Sequence, residues 1–144
     1  MQCQFLSPDD LTPTEETDPD HVNEVHYQIV SAGFWTVPVW VEKRKLFVMD
    51  GHHRLAAAIR LGLQTIPAIL TDYQDVDVEA WRPGEIITAE NIYAMVRSGR
   101  KFPVKTTRHS FLGKPPQCNI PLSQLGLRNV LLLEEVERRA GFNA

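Results

Sequence analysis

The sequence predicts a compact domain of the α/β or α+β class. Three observations lead there. Hydrophobic periodicity gives the element order helix, hairpin, helix, strand, then mixed elements, an order that packs helices against a small sheet. A length of 144 residues suits one domain, 1–144. A hydrophobic share of 43% is enough for a packed interior.

The elements follow in order. Residues 4–19 read as a short strand and then an irregular loop rich in Pro, Asp, Thr and Glu. Asp18-Pro19-Asp20 opens a helix, with Asp18 as N-cap and Pro19 at the first helical position. Val22, Val25, Ile29 and Ala32 then recur at helical spacing, and Gly33 ends the run. Val37–Val41 and Leu46–Met49 read as two strands of a hairpin, with Pro38 at an edge or a strand start. A Leu- and Ala-rich helix runs from about His52 to Leu61 and closes at Gly62. Ile66–Leu70 is a short buried strand and Val76–Trp81 another. Thr88 caps a helix that continues to about Arg97 and stops at Gly99. Residues 99–121 read as loop with short strand pieces, and Leu131–Ala140 as a last helix carrying Glu134/Arg138 and Glu135/Arg139 pairs.

Apolar runs are short, and none approaches the roughly 20 residues that span a bilayer. The start, Met1 to Leu6, lacks the basic flank and apolar stretch of a signal peptide, so the expected location is the cytoplasm. Cys3 and Cys118 stand far apart without a CxxC pattern, which argues for reduced thiols rather than a disulfide or zinc site. The net charge of −3 gives no sign of nucleic-acid binding. Its distribution is uneven. Residues 1–42 hold eight acids and no Lys or Arg, whereas Arg97 to Lys114 holds six bases and no acid. Such asymmetry suits either a cleft with one acidic and one basic lip or two separate solvated surfaces.

The chemistry concentrates at Asp50-Gly51-His52-His53-Arg54. A strand that turns tightly into a helix presents free N–H groups and the positive end of the helix dipole to an anion. Gly51 permits the turn and a close ligand approach. His52, His53 and Arg54 add donors, Arg in a fork that fits phosphate. Asp50 either caps the helix or holds a divalent cation. Against the anion site stand a structural reading, with Asp50 a cap and the histidines on the surface, and a metal reading. The latter is poorly served, because adjacent histidines diverge on a helix.

Met49-Asp50-Gly51-His52-His53-Arg54-Leu55, with Leu61-Gly62 and Ile66-Pro67, resembles the N-terminal domain of the ParB/sulfiredoxin superfamily. With Pro13-Thr14-Glu15-Glu16 ahead of the first helix, Trp81 after a Val-Asp-Val strand, and Lys105-Thr106-Thr107-Arg108-His109, it resembles the ParB-like free L-serine kinases. The resemblance covers a core of about residues 5–125 and implies a sulfiredoxin-like single domain that binds a nucleotide and L-serine, uses ADP or ATP with Mg2+, and makes O-phospho-L-serine. It places nucleotide phosphates on Asp50, Gly51, His52, His53 and Arg54. It makes Glu15 the catalytic base, a better match than Glu16 by spacing to Pro19. Trp81, Lys105, Thr106, Thr107, Arg108 and His109 would contact the amino acid, and Asp50 is the candidate metal ligand. Without the resemblance Trp81 reads as core, the threonines as strand residues and His109 as a surface histidine.

The rival is a ParB-like nucleotide-binding or DNA-associated module without turnover, which differs in usually carrying a Glu-Arg-Arg turn and a following helix-turn-helix domain. A sulfiredoxin-type repair enzyme needs a cysteine in the turn, where this chain has histidines. No GxxxxGK[ST], HRD or DFG pattern occurs, so phosphate binding would rest on a different cradle.

Overall fold

The structure, a computed structural model, describes residues 3–113 and 116–127. The helix expected over 131–140 lies outside the described residues.

Helix α1 runs Pro19–Ala32, and its ends are those the sequence predicts. The Asp18 carboxylate accepts from the Asp20 amide at 3.0 Å, and Gly33 closes it in the left-handed conformation. Helix α2, His52–Leu61, buries Leu55, Ala57, Ala58 and Leu61 and ends at Gly62. Helix α3, Ala89–Ser98, opens on a reciprocal capping box between Thr88 and Asn91.

Four strands form the main sheet in the order β1 (Gln4–Leu6), β5 (Ile66–Thr71), β3 (Val39–Glu42), β4 (Val48–Asp50). β3 and β4 pair antiparallel, as the hairpin reading expects, while β3 and β5 are parallel in the register Val39 to Ala68 and Val41 to Leu70. A parallel pair needs a crossover, and α2 lies within it. Pro38 sits just before the central strand β3, where its missing N–H costs no ladder bond.

Side chains alternate across this sheet. Val39, Val41, Val48 and Ala68 join Trp35, Leu55 and Leu61 in one cluster. Trp40, Phe47, Met49 and Ile69 face the other way and join Val76, Ile92 and Phe102. The second face is covered by α3 and an antiparallel ribbon of β6 (Val76–Ala80) and β7 (Thr107–Phe111). β3 is buried on both faces. Its last residue, Glu42, is fully buried yet satisfied: it accepts from the Arg44 and Lys45 amides and from the Tyr93 hydroxyl.

Two segments differ from the sequence reading. The stretch expected as an irregular loop becomes extended from Thr12 to Glu16. Its backbone bonds to Leu46 and Val48 near β4 on one side and to Phe102 on the other. Residues 99–121 contain a full ribbon strand, β7, and a short strand β8 (Ile120–Pro121) paired with β2 (Phe34–Trp35). Behind β8 a 3-10 turn buries Leu122 and Leu125 completely in the first cluster. Local pattern misses both because their partners are distant in the chain.

Candidate active site

One cleft of about 450 Å³ brings together Glu15, the Asp50–Arg54 turn, Trp81, Lys105 and Thr107. α1 and β2 form its opposite wall through Val25, Ile29, Phe34 and Trp35.

The turn is built on Gly51. Its φ of +112° is a conformation that side chains rarely adopt, and a Cβ there would stand 2.6 Å from Val39 Cγ1. Gly51 is itself the boundary residue of α2, and no side chain caps the helix. Asp50 is therefore not the cap. Its carboxylate is exposed and lies 3.4 Å from Arg54 Nη2. With no side-chain cap, the first-turn amides of α2 remain available to an anion.

Arg54 is held from below. Nη1 donates to the carbonyls of Val37 at 2.8 Å and Pro38 at 2.9 Å. That anchoring leaves one edge of the guanidinium toward Asp50 and the cleft, so the expected two-bond grip is not available from Nη1. The two histidines diverge as expected. His53 Nε2 accepts from the Asp18 amide at 3.1 Å, and its ring stacks on His21 at 4.2 Å. Burial, then the neighbouring His21, pushes its pKa down.

His52 points inward. Its Nε2 receives the Thr14 amide at 3.0 Å, and the Thr14 hydroxyl lies at 3.1 Å. Burial, then His109, His53 and Lys101, pushes its pKa down to about 3, so the ring is neutral. An amide N–H only donates, so Nε2 carries no proton and Nδ1 carries it. Nδ1 lies 3.9 Å from Glu15 Oε2.

Of the two glutamates, Glu15 lines the cleft and Glu16 stays exposed outside it. Glu15 Oε1 accepts from the Thr106 amide at 3.0 Å, the Thr107 amide at 2.6 Å and the Thr107 hydroxyl at 2.8 Å. Among the described residues no hydrogen bond engages Oε2. The extended Thr12–Glu16 segment, fixed between β4 and Phe102, carries this carboxylate to the start of β7.

The remaining predicted residues divide. Trp81 is half exposed and forms a cleft wall, not core, and Lys105 lines the same space without an ion pair among the described residues. Thr106 and Thr107 are buried and hold Glu15 rather than facing a ligand with free donors. Arg108 turns outward, over the Trp81 ring at 5.0 Å and 3.7 Å from Glu79. His109 turns inward to the aromatic cluster, 2.9 Å from the Tyr73 hydroxyl, and burial pushes its pKa down to about 4. Strand alternation explains the pair: adjacent β7 residues cannot share a face. Neither lines the cleft. Glu15 of the acidic 1–42 stretch and Lys105 of the basic Arg97–Lys114 stretch line the same cleft.

Sequence reasoning missed Thr14 and the apolar wall. The signal for the wall was present in the stripe Val22, Val25, Ile29, Ala32. Only Val22 of these is buried in the core; the other three line the cleft. Among the described residues no group of three His, Cys, Asp or Glu is arranged to hold a metal ion, and no helix is long and apolar enough to cross a membrane. Cys3 and Cys118 are free thiols.

A glycine turn opening an uncapped helix, set beside a small mixed sheet, defines an α/β domain with a helix N-terminus on its cleft. The chain belongs to the ParB N-terminal domain family, whose profile matches residues 1–98. It is 36% identical over 90 residues to a "ParB-like protein" of Sulfolobus acidocaldarius, covering 62% of this chain and 45% of that one. It is 38% identical over 88 residues to an "ATP-dependent L-serine kinase" of Staphylothermus marinus, covering 57% and 35%. The chain thus spans less than half the length of these relatives. Among solved structures, a free serine kinase in complex with AMP superposes with a TM-score of 0.78 at 16% identity, over 86% of this chain and 93% of that one. That likeness concerns the fold.

Proposed function

We propose that the protein is a free L-serine kinase, transferring the terminal phosphoryl group of ADP or ATP to serine to give O-phospho-L-serine. The observation that carries this reading is the Glu15 carboxylate. One oxygen is fixed by three donors, the other lies 3.9 Å from His52 Nδ1, and Glu15 lines the cleft shared with the uncapped α2 turn. Relatives named L-serine kinase support it, at 27–38% identity.

In this reading the nucleotide phosphates rest on the amides of Gly51 to Arg54, with His53 beside them. Arg54 acts through its free edge and as a fixed positive charge. The residues fit a Mg2+ held mainly by phosphate and water, with Asp50 as the exposed carboxylate beside it, and such an ion would neutralise phosphate charge. Lys105 would receive the serine carboxylate and Trp81 would wall the small substrate. Glu15 Oε2 accepts the hydroxyl proton as the serine oxygen attacks phosphorus. Thr106 and Thr107 serve by holding Oε1.

The test is direct. The purified protein is incubated with Mg2+, L-serine and either ADP or ATP, and phosphorus NMR reads the products. A phosphoserine signal with one nucleotide supports the kinase and identifies the donor. Nucleotide binding without product from either would favour the second reading, a nucleotide-binding regulatory module, which the match to the ParB-like relative keeps in view.

A further inference from the structure

We propose that His52 is a catalytic residue that clamps the acceptor hydroxyl together with Glu15, its Nδ1–H donating to the same oxygen whose proton passes to Glu15 Oε2. The inference rests on the kinase reading and deepens it.

The geometry on both sides is fixed by protein groups. Nδ1 and Oε2 stand 3.9 Å apart, too far for a hydrogen bond to each other. A hydroxyl oxygen between them would lie about 2.8 Å from both, the ordinary hydrogen-bond length. Each partner is anchored from behind. Thr14 donates its amide to Nε2, which puts the proton on Nδ1. Thr14 is itself buried, and its hydroxyl lies 3.2 Å from the Val48 carbonyl. Glu15 is held through Oε1 by Thr106 and Thr107. Thr14 and Glu15 are adjacent, so one extended segment sets the tautomer of the histidine and supplies the carboxylate.

The step balances. A hydroxyl oxygen has two lone pairs. One accepts from Nδ1–H and the other forms the new O–P bond. The bond from phosphorus to the bridging oxygen breaks, its electron pair leaves with the nucleotide, and the hydroxyl proton moves to Oε2. Two contacts orient the oxygen, as near-attack positioning requires.

Two substitutions in the full chain separate the clamp from a phosphate-binding role. In His52→Asn the amide nitrogen replaces Nδ1, whereas in His52→Gln the side-chain oxygen takes the place of Nε2 opposite the Thr14 amide and no N–H stands at Nδ1. The Asn variant should keep turnover within about tenfold, and the Gln variant should lose about 100-fold. Nucleotide affinity should stay within about threefold in both. Equal losses in the two variants, or affinity falling in step with turnover, would overturn the clamp. Nitrogen-15 NMR of the free protein supplies a readout independent of turnover. It should find His52 protonated on Nδ1 alone, with that proton resonance moving in Glu15→Gln. An active protein with the Nε2–H tautomer overturns the clamp alone. The Nδ1–H tautomer in a protein that makes no phosphoserine overturns the kinase reading, and the hydroxyl clamp with it.

Discussion

At the residue scale the site depends on a few atoms with no slack. Gly51 is one: its left-handed φ and the 2.6 Å approach to Val39 leave no room for a methyl group. Gly51→Ala should lower stability by about 2–4 kcal/mol in urea unfolding and weaken nucleotide binding with it; unchanged stability would contradict the geometry. Glu15 is another. Glu15→Gln should remove most turnover, on the order of 100-fold or more, while leaving nucleotide affinity near wild type by calorimetry. A fully active variant would sink the assignment of the base. His52 and His109 give a pH signature. Both titrate near 6.5 when unfolded but are pushed down, to about 3 and about 4, in the folded chain. Above pH 6.5 both states are neutral there and the contribution to stability is complete. As pH falls from 6.5 toward 4, the unfolded chain takes up protons that the native state refuses. Stability should then drop by about 1.4 kcal/mol per pH unit for each histidine. Urea midpoints measured at pH 6.5, 5.5 and 4.5 check the sign; a flat profile would show that the rings protonate in place.

At the element scale, each site component is carried by a different kind of support. The α2 turn belongs to the hairpin and crossover. Glu15 belongs to an extended segment bonded on both edges, and Thr107 to the first position of β7. The C-terminal 3-10 turn closes the core under this arrangement, with Leu122 and Leu125 fully buried. Leu125→Ala should cost about 2–5 kcal/mol, read as a lower denaturant midpoint; a loss under 0.5 kcal/mol would mean this turn is not part of the cooperative core. The helices were legible because their boundaries are local: Asp18-Pro19 and Gly33, Thr88 and Gly99 each act on neighbouring amides. The Thr12–Glu16 bridge and β7 were not, because their bonds reach Leu46, Phe102 and Val76–Ala80 across the chain. The same limit explains Thr106-Thr107-Arg108-His109. Four consecutive residues read as one contact surface, but the strand pleat divides them between Glu15, the solvent and the aromatic cluster.

At the scale of the whole molecule, the cleft lies between segments far apart in sequence, so a ligand bridging them should stabilise the entire fold. A nucleotide at about 100 times its Kd should add roughly 2.7 kcal/mol to unfolding and raise the melting temperature, the donor more than a nucleoside. No shift with ADP or ATP would remove the nucleotide reading altogether. The sequence by itself determined the mixed α/β class, the helix ends and the turn at Gly51, because these depend on side-chain period, capping and backbone permission within a few residues. It also marked Glu15 and the Asp50–Arg54 turn as partners through family resemblance. The tertiary structure decided the rest. Which glutamate oxygen is held and which is open, which proton His52 carries, and that His109 is buried while Trp81 is exposed all depend on contacts between remote segments. So does the placing of Val25, Ile29 and Ala32 of the α1 stripe on the cleft. Packing brings those segments together, and no local pattern records which of their faces will meet.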